Sequence, residues 1–89
     1  MDISYDPCKN ETNTRTRGLS FERVADFEFD TAVIVVDNRR DYGEVRFRAR
    51  GLLDGRVHAL AFTETADGIR VISFRKANPR KVRTYEQAS

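Results

Sequence analysis

Glu44-Val45-Arg46-Phe47-Arg48-Ala49-Arg50-Gly51-Leu52 alternates between arginines and apolar or small residues. In an extended strand successive side chains point to opposite faces, so Val45, Phe47 and Ala49 fall on one face and Arg46, Arg48 and Arg50 on the other. The pattern specifies a sheet with one face in a core and a cationic stripe on the other. Such a stripe suits either a bound phosphate chain or the wet side of an antiparallel sheet.

Toward the C-terminus, Asp54-Gly55 is a strong hairpin signal leading into a strand over residues 56–63. Ala66-Asp67-Gly68 turns the chain into another strand over 69–76, and Asn78-Pro79 opens a last helix that runs to about Gln87. Toward the N-terminus, residues 32–36 are rich in β-branched side chains and read as a central strand, separated from the arginine strand by a turn over 37–43. Residues 7–17 read as a helix: Asp6 caps it, Pro7 suits its first position and Gly18 suits a left-handed exit. That helix has no apolar stripe beyond Cys8 and belongs at a surface. Ser20 can cap a second helix from 21 to about 29, and residues 3–5 form a short opening edge strand. The sum is β-α-α-β-β-β-β-α, one α+β domain over residues 1–89, built on an antiparallel meander with helices on one side.

A chain of 89 residues, 39% hydrophobic and 34% charged, is too apolar for disorder and has room for one compact domain. One cysteine allows neither an internal disulfide nor a cysteine-built zinc site, which fits a reducing cytoplasm. Apolar runs stop at five residues, as in Ala32 to Val36, and the polar start lacks the pattern of a signal peptide, so no membrane association is expected. Charge is uneven. Residues 1–45 hold 6 Lys/Arg against 10 Asp/Glu, whereas residues 46–89 hold 10 against 4. From Gly68 to Tyr85 there are six basic residues and no acid, which reads as an anion-facing region.

Few side chains offer other chemistry. His58 alternates with Leu60 and Phe62 on an apolar face and reads as structural; Cys8, at a helix start beside Lys9, has no base in range and reads as incidental. No metal-ligand spacing and no phosphate-binding glycine loop is present, so neither a metal nor another cofactor is expected. Arginine remains: it binds phosphate in a bidentate fork and stabilises the charge that grows when a phosphodiester is attacked.

The run Asp6-Pro7-Cys8-Lys9-Asn10-Glu11-Thr12-Asn13, continued through Arg17-Gly18 and Phe21-Glu22, resembles the opening signature of the BrnT toxins, D-P-x-K-N-x-x-N-x-x-K-H-G-x-x-F-E. Arg40 to Arg46, Gly51, Gly55-Arg56, Thr63 and Ile69 to Ala77 are similar to later blocks of that family. The resemblance implies a RelE-like fold and a toxin of a type II toxin-antitoxin pair. It further implies a metal-independent endoribonuclease that blocks translation, neutralised by a BrnA-like antitoxin with a ribbon-helix-helix domain. The pair would form a heterotetramer that touches operator DNA only through the antitoxin.

Carried over residue by residue, the resemblance makes Arg70, Ser73, Arg75 and Lys76 candidates for catalysis. Lys9, Asn13, Arg17, Arg46 and Arg80 are the corresponding candidates for RNA binding. Lys9, Asn13 and Arg17 recur every four residues and share one helical face. Other roles stay open: Asn13 as a turn-bonding side chain, Arg46 and Arg70 as salt-bridge partners of Glu22 or Glu44. The chain also departs from the pattern. Arg17 stands where His is usual, Phe62 where Tyr is common, Thr65 near where an Arg often follows, and Lys81 where an acid is typical. Arginine at 17 cannot move a proton at neutral pH. A cleavage-impaired binding module, acting only within a repressing antitoxin complex, is therefore the alternative to an active ribonuclease.

Overall fold

Asp6 does cap the first helix: its carboxylate accepts from the Cys8 N–H at 2.8 Å, and Gly18 leaves at φ 65° with its own N–H on the Thr14 carbonyl. The computed structural model describes residues 1–88, in the order β1 (Asp2–Tyr5), α1 (Pro7–Arg17), two 3-10 turns (Phe21–Asp26 and Phe29–Thr31), β2 (Val33–Asp37), β3 (Arg46–Leu53), β4 (Arg56–Glu64), β5 (Gly68–Lys76) and α2 (Pro79–Ala88). Residue 89, the end of the expected domain, lies outside the described residues.

The strands form one sheet in the order β1-β5-β4-β3-β2. From β2 to β5 the pairing is antiparallel, as a meander requires, and the β3–β4 hairpin turns at Asp54 (φ 53°) and Gly55 (φ 77°), the two positive angles a tight hairpin needs. β1 differs: it pairs parallel to β5, Ile3 opposite Ile69 and Tyr5 opposite Val71, so the sheet is mixed. This approach depends on Gly68, because a Cβ there would strike the backbone of Asp2. β1 covers only the first half of the β5 edge. α1 lies along the remainder, where the Asn13 side-chain amide donates to the Phe74 carbonyl at 2.8 Å and to the Leu19 carbonyl at 2.9 Å.

Alternation divides the sheet cleanly. One face presents Ala49, Leu53, His58, Leu60, Phe62, Ile69, Val71 and Phe74 and buries them beneath Phe21, Val24 and Phe27. Gly51 belongs to this face, and a Cβ there would sit 2.7 Å from Phe27 Cζ. The covering segment is not the α-helix expected over 21–29 but a 3-10 turn, Phe21–Asp26, that Ser20 caps through the Glu22 N–H. Its buried side chains, Phe21, Val24 and Phe27, recur every third residue, which is the 3-10 repeat and not the α repeat. On the opposite face, Val82 and Tyr85 of α2 line one cleft with Leu52 and Val57, so the helical elements are not all on one side as expected.

β2 is an edge strand and not the expected centre. Ile34, Val35 and Val36 are 43%, 45% and 53% exposed, respectively. β3 begins at Arg46, two residues later than the alternating run that opens at Glu44, and Val45, expected on the apolar face, is 61% exposed.

The Asn13 bonds carry a prediction. Two carbonyls lose their donor when Asn13 becomes alanine, and a partly buried unsatisfied group costs about 1–3 kcal/mol. Asn13→Ala should thus lower the unfolding free energy measured in denaturant by that amount while leaving RNA affinity of the folded protein unchanged. A loss of affinity with no loss of stability would return Asn13 to the RNA-binding residues.

Candidate nucleic-acid interface

The open face of the sheet is built in rows. Register sets Arg50 opposite Ala59 and Ala59 opposite Arg75, while the next row runs Arg48, Ala61, Ser73. Small residues on β4 thus floor a trough, and β3 and β5 wall it with polar side chains. The arginine stripe read from the sequence is one of these walls.

Its charges are not equally available. Asp37, at the end of β2, is 6% exposed and receives both the Nε and a terminal nitrogen of Arg39 at 2.8 Å, the Tyr42 hydroxyl at 3.2 Å, and the approach of Arg48 Nε at 3.8 Å. Arg39 holds the Asp37 carboxyl far below the usual carboxylate range. Glu44 occupies the other end of the trough, bridging Arg46 Nε at 3.0 Å and Arg70 at 2.9 Å; Arg46 also lies 4.2 Å above the Tyr42 ring. These hydrogen bonds lower the Glu44 pKa, that from Arg46 first. Glu44, and not Glu22, is therefore the partner of Arg46 and Arg70; Glu22 accepts from the Tyr5 hydroxyl at 3.3 Å.

Among the described residues Arg50, Arg75, Lys76 and Lys81 have no carboxylate within ion-pair distance. Lys81 sits on the first turn of α2, its N–H on the Asn78 side-chain oxygen at 2.9 Å, and is half-buried. Burial first, then Arg75, Arg50, Arg39 and Arg48, bring its pKa below the ordinary lysine value. The α2 end of the trough is thus a concentrated, uncompensated positive field.

The remaining sequence candidates follow α1 and β5. Lys9, Asn13, Arg17 and Ser73 line one cleft between these elements. Arg17 continues into a second cleft with Arg75 and Lys76, and Lys9 into a third with Arg46 and Arg70. Arg75 and Lys76 leave β5 on opposite faces, yet both border the cleft at the strand's end. Arg80 is exposed on α2 and joins none of these clefts. Sequence reasoning named Lys81 only as a departure from the family pattern and did not find the Arg50–Ala59–Arg75 row; correct register between β3, β4 and β5 was the signal that could have found the row.

His58 is 4% exposed, its Nδ1 shares a 2.9 Å hydrogen bond with the Arg56 carbonyl, and its ring packs 5.6 Å from Phe74, on the face away from the trough. Cys8 is exposed beside Lys9. Among the described residues no three of His, Cys, Asp and Glu gather as metal ligands would, and no helix is long and apolar enough to cross a membrane.

Asp37 provides a pH prediction. A carboxyl whose folded pKa is depressed adds stability that is present above its unfolded pKa, about 3.9, and is lost as pH falls through the folded value. Asp37→Asn should therefore lower the denaturant midpoint at pH 7, and the gap from wild type should shrink as pH drops below about 4. A gap that stayed constant to pH 2 would mean that Asp37 contributes no ionic stabilisation.

A family model described as "Ribonuclease toxin, BrnT, of type II toxin-antitoxin system" matches residues 5–81 of the chain. A search of curated proteins finds no match.

Proposed function

We propose, from a chain that belongs to the BrnT family of ribonuclease toxins of type II toxin-antitoxin systems, that the open trough binds single-stranded RNA and that its α2 end cleaves it. The observation that carries the reading is the uncompensated group Arg50, Arg75 and Lys81 around the Ala59 floor. A phosphodiester under attack gains negative charge on its non-bridging oxygens, and preorganised cations in a partly desolvated site stabilise that charge. Arg75 contacts the scissile phosphate, and Lys76, on the other face of the strand, assists from the cleft that both border. Ser73 lies one row along the strand, and Lys9 and Arg17 guide the RNA past α1. Arg46 and Arg70, which share the single carboxylate of Glu44, steer it at most.

Cleavage needs no metal and stops translation. The partner is a BrnA-like ribbon-helix-helix antitoxin whose acidic segment covers the same cationic face, since a surface shaped for RNA phosphates also attracts carboxylates. The pair assembles as a heterotetramer and reaches operator DNA through the antitoxin.

Purified chain incubated with defined RNA in the presence of a chelator should produce discrete fragments, and expression without the antitoxin should arrest bacterial growth. Arg17, which cannot transfer a proton, favours a second reading in which the chain binds its antitoxin but does not cut. That reading expects neither fragments nor growth arrest, with antitoxin binding intact. Failure of both wild type and Arg17→His to cleave any RNA would decide for it.

A further inference from the structure

The trough contains four guanidiniums near α2, and none of them gives up a proton at neutral pH. Departure of an alkoxide from phosphorus nevertheless requires a proton donor. His58 borders the cleft of Arg17, Arg75 and Lys76 but is 4% exposed on the core face with its Nδ1 on the Arg56 carbonyl, and the Tyr42 hydroxyl is committed to Asp37. Lys81 meets the need by position: the residue after it, Val82, lines a cleft with Leu52 and Val57, the row next to Arg50–Ala59–Arg75, and the Asn78 cap fixes the first turn of α2 that carries Lys81, half-buried, over this side of the sheet. Ala59, which separates Arg50 from Arg75 in the register, carries only a methyl group on this face.

We propose that Lys81 is the general acid of RNA cleavage, handing its proton to the leaving 5′-oxygen while Arg50 and Arg75 hold the phosphate. The assignment rests on the ribonuclease reading above. The 2′-oxygen bonds to phosphorus and releases its proton to water; the bond from phosphorus to the 5′-oxygen breaks, and its electron pair stays on that oxygen. The Lys81 ammonium protonates the oxygen, becomes a neutral amine and regains a proton from solvent. The products are a 2′,3′-cyclic phosphate and a free 5′-hydroxyl. An exposed lysine holds its proton too tightly for this role, whereas burial and four neighbouring cations make Lys81 a readier donor.

The test uses two RNAs that differ at one atom, the bridging 5′-oxygen of the scissile linkage or a sulfur in its place. A thiolate leaves without a proton. Lys81→Met should cleave the oxygen RNA about 100-fold more slowly than wild type, a typical loss for general acid catalysis, and the sulfur RNA at close to the wild-type rate. Lys81→Arg, which keeps the charge without a transferable proton, should show the same selective rescue. An equal loss on both RNAs, or no loss on either, overturns the assignment and leaves the ribonuclease reading standing. A wild-type chain inert on both overturns the ribonuclease reading and the assignment together. Thermal unfolding of each variant separates loss of fold from loss of chemistry.

Discussion

Arg75→Ala should lower RNA cleavage by about 100-fold at every ionic strength, the cost typical of deleting one preorganised donor to a developing anion. Arg48→Ala should lower it only at low salt. The two arginines sit on the same open face, but their partners differ. Arg48 Nε lies 3.8 Å from the buried Asp37 carboxylate, which Arg39 already holds at 2.8 Å, so Arg48 is drawn toward the β2 side of the trough and acts on RNA from a distance. Arg75 has no carboxylate partner among the described residues and shares the Arg50–Ala59–Arg75 row at the α2 end of the trough. A direct bidentate contact is short and partly desolvated, so salt screens it little, whereas a charge acting across a Debye length of about 10 Å at 0.1 M is screened strongly. Initial cleavage rates from 20 to 500 mM salt would separate the two. If Arg48→Ala abolished cleavage at physiological salt while Arg75→Ala left it intact, the phosphate site would have to be moved toward Asp37.

The same contrast shows which parts of the fold the residues announce. Asp6, Pro7 and Gly18 mark both ends of α1 because caps and left-handed exits are local demands that few residue types satisfy. Asp54-Gly55 marks its hairpin for the same reason. The 3-10 turn was hidden because Phe21 and Val24 fit an α stripe as well as a period of three, and only Phe27, three further on, distinguishes them. The position of β2 was hidden too. A run of β-branched residues suits a strand buried on both faces, yet Val33–Asp37 pairs only with β3, and nothing in its sequence records a neighbour that is missing. The parallel pairing of β1 depends on contacts more than sixty residues apart, such as Ser4 Oγ on the Ile69 carbonyl.

Candidate site residues divide in a similar way. Cations are legible, because Arg and Lys are named in the sequence; the carboxylates that silence them are not, because Glu44 reaches Arg70 and Asp37 reaches Arg48 only after the strands pair. Asn13 resembled a ligand by its place in the opening signature, and in the fold it ties α1 to β5. Lys81 is five residues beyond the end of β5, and only the return of α2 over the sheet brings it to Arg50.

Phe74→Ala should destabilise the protein by about 3–5 kcal/mol, the range for truncating a buried phenylalanine. A chain of 89 residues has a total stability on the order of 10 kcal/mol, so this single change removes a large part of it and lowers the thermal midpoint by roughly 20 °C. Phe74 is fully buried, packs edge-to-face on Phe27 at 5.9 Å, and lies against His58. Its truncation leaves a cavity lined by rings from two elements that cannot collapse together, because β4 and β5 are fixed by their ladder. The backbone of Phe74 meanwhile keeps its bond from Asn13, so β5 stays on α1 and the strand end that carries Arg75 keeps its place in the folded fraction. Cleavage per folded molecule should therefore stay near wild type at low temperature and fall only as the population unfolds. Arg75→Ala should do the reverse, removing cleavage while leaving the thermal midpoint within about 2 °C, as expected for an exposed side chain. Calorimetry and cleavage assays on the two variants, one residue apart on one strand, would test both statements. If Phe74→Ala lost cleavage well below its unfolding transition, the core of β5 would be setting the geometry of the trough and not merely its stability.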